Sequence, residues 1–130
     1  SFYKLPIYLW YAWYLSERMI LVFKHVFYKN YVGLSLWPFI ILKNSSLKKD
    51  ATLLNHEKIH LRQQRELLIV PFYFLYLLEG IIRYLIHFDA YKAYQNISFE
   101  REAYQNETNL YYLEERRTFS FIKYLWGQKP

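Results

Sequence analysis

One group of side chains in this chain has both the types and the spacing of a known chemistry: His56-Glu57-Lys58-Ile59-His60, an H-E-x-x-H pattern. On an α-helix His56 and His60 stand one turn apart on the same face, so two imidazole nitrogens can reach a single ion. Glu57, rotated by about 100°, flanks the open side of that ion. A catalytic zinc takes three protein ligands and keeps its fourth position for water, and a carboxylate beside that water can accept its proton during attack on a carbonyl. The pattern therefore predicts two metal ligands, His56 and His60, with Glu57 as general base. It also requires a third ligand from elsewhere in the chain. The competing reading is a solvated helix on which two histidines fall four apart by accident.

The elements that must position these groups can be traced along the chain. Asp50 is an N-cap candidate ahead of the apolar turn Ala51-Thr52-Leu53-Leu54, and the pattern predicts a helix from there through Leu67-Leu68-Ile69-Val70 to Pro71. There is no glycine to turn the chain after His60, and Gln63 and Glu66 occupy the next positions. Glu66 falls about 120° from the two histidines and cannot share their ion on an unbroken helix. Before the helix, Met19 to His25 and Tyr31 to Leu42 are rich in β-branched and aromatic residues and read as two strands. Pro38 lacks a ladder donor, which places the second run at a sheet edge or a bulge. After Pro71 the polar positions Tyr76, Glu79, Arg83 and His87 recur every three or four residues, the pattern of an amphipathic core helix with a Glu79–Arg83 pair on its wet face. Ser98, Glu100 and Glu102 mark a further helix start. Ala103 beside them is small enough to let that helix approach the metal helix closely, which brings a carboxylate to the ion from across the cleft.

Composition bounds the rest. One domain of 130 residues, 54% apolar, has a modest core. With no cysteine, disulfides and thiolate ligands are excluded. Lys and Arg give a net charge of +6 but are scattered, which suits an anionic membrane surface better than nucleic acid. Aromatic residues make up 22% of the chain, as small cores and membrane interfaces both require. The apolar run Leu5 to Leu15 is too short to span a bilayer and lacks the flanks of a signal peptide, so residues 1–18 are expected to form an aromatic arm. Residues 118–130 are expected to form an aromatic tail packing on the body. The charge run Glu107, Glu114-Glu115, Arg116-Arg117 reads as solvent face.

His56-Glu57-x-x-His60 followed by Glu100-Arg101-Glu102-Ala103 resembles the HExxH plus ExxA pattern of gluzincin-type zinc metallopeptidases, most closely the very small members called minigluzincins. From Met19 onward the chain is also similar to short bacterial HExxH proteins with an FEREAY second motif. The resemblance implies one zinc ion held by His56, His60 and Glu100, Glu57 as general base, and an extended substrate beside a strand. Glu102 is the competing third ligand, set behind Glu100 because only Glu100 has alanine at the third following position. The membrane-embedded relatives carry Asp directly after ExxA, where this chain has Tyr104.

The expected fold is α+β: a small antiparallel sheet, then the metal-binding helix, the amphipathic core helix and the glutamate-bearing helix. The expected function is zinc-dependent hydrolysis of peptide bonds, with a peptide or protein substrate and no nucleic acid. A non-catalytic protein of the same fold, binding a membrane surface or a partner, is the alternative. The expected location is the cytoplasm, with a peripheral membrane contact. Substrate is expected to add antiparallel to the edge formed by Tyr31 to Leu42, its alternate side chains meeting Leu34, Leu36 and Trp37.

Overall fold

The computed structural model of the protein describes residues 19–126. The arm expected over residues 1–18 and the last residues of the expected tail, 127–130, lie outside the described residues. Three short strands open the described chain: β1 (Ile20–Val22), β2 (Gly33–Leu36) and β3 (Phe39–Leu42). Five α-helices follow: α1 (Ala51–Glu66), α2 (Val70–His87), α3 (Ala90–Asn96), α4 (Ser98–Asn106) and α5 (Tyr112–Glu115). The class is α+β, in the order of elements that the sequence predicts.

The sheet is mixed rather than antiparallel. Its order is β1-β3-β2, with β1 parallel to the central β3 and β2 antiparallel to it. Tyr31 to Leu42 is thus a hairpin and not one strand: Pro38 sits in the Trp37-Pro38 connection, where a missing N–H breaks no ladder. The run after β1 winds into a 3-10 turn at Lys24–Val26, so the first predicted strand is only three residues long. Among the described residues β2 is an edge strand.

α1 starts where the sequence predicts, with the Asp50 carboxylate accepting from the Leu53 N–H at 3.0 Å. It stops at Glu66 rather than running on to Pro71. Proline has no N–H and its ring clashes with the carbonyl four residues back, so the chain breaks and Pro71 falls in the first turn of a new helix. Leu68 and Ile69 take the strain with φ of 60° and 67°, and the two helix axes bend by 113°. No single helix among the described residues is long and apolar enough to cross a membrane.

The core joins α2, α4 and the tail. Phe72, Ile97, Phe99 and Phe121 form one buried cluster, with the Phe99 ring centroid 4.6 Å from those of both Phe72 and Phe121. Burying four such side chains contributes on the order of 1.5–3 kcal/mol each. The tail segment Ser120–Tyr124 therefore packs on α4. α4 has no side-chain cap of its own; instead Glu79 of α2 accepts from the Ser98 N–H and hydroxyl, both at 2.7 Å. Glu79 and Arg83 do pair, at 3.4 Å, but they face the protein and not water, since Arg83 also donates to the Leu125 carbonyl.

Candidate metal centre

α1 and α4 cross at the metal motif. Ala103 has no exposed surface, and the absence of a longer side chain there lets the two backbones come close. His56 and His60, both buried, point their Nε2 atoms at one spot, 3.1 Å apart. Glu100 completes the triangle, Oε2 lying 3.2 Å from His56 Nε2 and Oε1 3.0 Å from His60 Nε2. Four ligands around zinc at 2.0–2.1 Å stand about 3.3 Å from one another. Two imidazoles and a carboxylate at 3.0–3.2 Å fit that frame, and the three are the expected ligands.

The outer contacts orient the rings. His56 Nδ1 lies 2.8 Å from Glu107 Oε2, and His60 Nδ1 lies 2.8 Å from Gln63 Oε1. Both acceptors call for a proton on Nδ1, so Nε2 is the nitrogen each ring would offer to a bound ion. Tyr76 donates to Glu100 Oε1 at 3.0 Å. Tyr104 sets its ring edge-on to His56, centroids 4.5 Å apart, and so packs against that imidazole. The carboxylate on His56 comes from Glu107. That residue belongs to the charge run that reads as solvent face, and its contact with His56 corrects the reading: Glu107 is a partner of the site. Its spacing of seven from Glu100, two helical turns, is the signal in the sequence that points to it.

Charge makes the spot cationic by preference. Burial lowers the His60 pKa, but the Glu100 carboxylate outweighs it by charge and hydrogen bond and raises it to about 9. Burial alone would raise the Glu100 pKa, while the two histidines pull it well below the usual carboxylate range. Burial, then Glu100, pushes the Tyr76 hydroxyl far above its ordinary value, so it stays a donor.

Glu57 is buried, and its Oε2 lies 2.5 Å from the hydroxyl of Ser35 on β2, which also touches the Glu57 carbonyl at 2.8 Å. Sequence reasoning misses Ser35, because a lone serine in a strand carries no pattern. A cavity of about 400 Å³ has Glu57, His60 and Glu100 in its wall together with Gly33, Leu34 and Ser35 of the edge strand. Gly33 is needed for closeness: a Cβ there would stand 2.9 Å from Glu57 Oε1 and 3.1 Å from Leu53 Cδ1. Gly33→Ala should therefore keep the fold and the metal, since a carboxylate tip can move, but displace the base. If Glu57 activates water, hydrolysis should fall on the order of 100-fold, read as kcat/KM beside metal content.

The other sequence candidates fall elsewhere. Glu102 stands outside the His56–His60–Glu100 triangle: Arg116 Nε meets its Oε1 at 2.5 Å, the Tyr112 hydroxyl donates to Oε1 at 2.8 Å and Gln63 Nε2 to Oε2 at 2.7 Å. It anchors Gln63, which in turn holds His60. Arg116, expected on the solvent face, is buried and also bonds Glu66 at 2.6 Å. Leu34 lines the cavity, whereas Leu36 and Trp37 lie beyond its wall. The Trp37 N–H donates to Gln64 Oε1 at 2.8 Å, and Gln64 Nε2 donates to the Ser35 carbonyl at 2.9 Å. No described tail residue lines the cavity. Comparison with family models, with curated proteins and with solved structures gives no match in any of the three.

Proposed function

We propose that this protein is a zinc-dependent peptidase of the gluzincin kind. The observation that carries it is that a buried His56–His60–Glu100 triangle meets one cavity through His60 and Glu100, with a further buried carboxylate, Glu57, in the same wall beside an edge strand. A purely structural site has no use for that fourth group. When bound, a zinc ion there lowers the pKa of water to about 7 and polarises a carbonyl. Glu57 takes the proton from the attacking water and passes it to the departing amine, while Ser35 holds the carboxylate in place.

The substrate lies along β2. Leu34 and Leu36 pair with Ile41 and Phe39, so the peptide groups of Gly33 and Ser35 point away from the sheet. An extended peptide adds there as a further strand, its main-chain groups meeting Gly33 and the Ser35 N–H. Gln64 occupies the Ser35 carbonyl and the Trp37 N–H, so the peptide register ends at Ser35. Main-chain pairing makes selectivity broad, with Leu34 the side chain that reads the substrate.

Purified chain should hold about one zinc and cleave members of a peptide library, and a chelator should abolish cleavage until zinc is restored. Zinc retained without any cleavage would support the non-catalytic alternative. A chain that takes up no zinc would end the peptidase reading.

A further inference from the structure

The described molecule carries an apolar surface that its fold does not bury. On α2 the polar side chains Tyr76, Glu79 and Arg83 are turned to the body and bonded there, to Glu100, Ser98 and the Leu125 carbonyl. The apolar ones face out: Phe74, Leu77, Leu78, Ile81, Leu85 and Ile86 are each between 50% and 72% exposed. This is the reverse of a helix that meets water, whose apolar stripe faces the core. It matches the rule for helices in lipid, where polar groups turn inward and are paired. Monomeric soluble proteins rarely leave a contiguous apolar patch of this kind uncovered.

Two observations select the occupant. At 3.6 residues per turn the exposed apolar positions between Tyr73 and Phe88 cover roughly 220° of the helix circumference. A single partner helix buries a stripe of about 100°, but a fluid acyl layer can follow the whole arc. Charge agrees. Arg62 and Arg65 stand in the last turns of α1 just before α2 begins, and Lys92 of α3 stands beyond its other end, on a chain of net charge +6. Cations at both ends of an apolar helix are placed for anionic headgroups.

We propose that α2 seats the protein on an anionic lipid bilayer, lying in the plane of the headgroup–acyl boundary with its outward arc in lipid. At about 27 Å long it lies along the surface, dipping in by roughly 5–10 Å, and the metal cavity stays on the water side. The proposal stands independently of any activity at the metal centre.

The chain has no cysteine, so a single Leu78→Cys substitution in the full chain accepts one environment-sensitive fluorophore on the outward arc. Adding phosphatidylcholine vesicles that contain phosphatidylglycerol should shift its emission to the blue and brighten it several-fold. Acyl-chain spin-labelled lipid should then quench it. In a vesicle flotation assay, Ile81→Glu/Leu85→Glu should weaken binding about ten-fold or more with unchanged circular dichroism, because both positions are exposed. A fluorophore already shielded before vesicles are added would overturn the proposal, showing the arc covered by residues 1–18 or by a second copy. So would an unchanged spectrum with vesicles, or flotation that the double variant leaves intact.

Discussion

Glu57→Gln should leave about one zinc per chain and the native circular dichroism while lowering peptide hydrolysis about 10²- to 10⁴-fold, the usual worth of general base assistance. The substitution is close to isosteric, and an amide oxygen can still accept from the Ser35 hydroxyl that lies 2.5 Å from the carboxylate. Glu57 is outside the His56–His60–Glu100 triangle, so metal retention should not change. What disappears is the capacity to take a proton. Single-turnover cleavage beside metal content separates the roles: loss of both would make Glu57 a ligand or a fold determinant, and loss of neither would remove it from the chemistry.

Glu100→Ala and Glu102→Ala, two residues apart on one helix, should fail in opposite ways. Glu100→Ala removes the proposed third ligand, so zinc retention should collapse, because two imidazoles rarely hold an ion. Glu102→Ala leaves the Arg116 guanidinium buried without its principal partner. Breaking a buried pair costs about 3–5 kcal/mol, and because Glu66 still reaches Arg116 at 2.6 Å the lower end of that range applies. A fall in Tm on the order of 10 °C follows for a domain of this size. Zinc should remain at temperatures where the variant is folded, with some weakening because Gln63 loses its anchor. A Glu102→Ala protein that melts normally but holds no zinc would reverse the assignment of the third ligand. Calorimetry and metal analysis on the pair decide it.

The local part of the site is legible in the amino-acid sequence itself. His56, Glu57 and His60 share a helix, and the 3.6-residue period alone sets two rings on one face. Asp50 caps that helix by a contact three residues long. Ala103 marks the helix that approaches closely, while Glu100 is set ahead of Glu102 only by the resemblance to ExxA. The α+β class follows from a run of β-branched residues ahead of runs with helical period.

What the sequence does not contain is which groups meet across the fold. Glu107 follows Glu100 by two helical turns, but only the crossing of α4 with α1 turns it onto His56; Arg116 is an ordinary charge in a charge run until the return of the chain past α4 buries it against Glu102. Ser35 and Gly33 matter because β2 passes over α1 at Glu57, a juxtaposition between residues 22 and 24 apart in the chain. The break at Leu68–Ile69 depends on which side of Pro71 the helix stops. For α2 the sequence determined the amphipathic period but not its sense: a polar stripe at every third or fourth residue reads the same whether it faces water or protein. Tertiary structure decided that, because Glu79 and Arg83 found buried partners at the start of α4 and at Leu125, which left the apolar arc facing out.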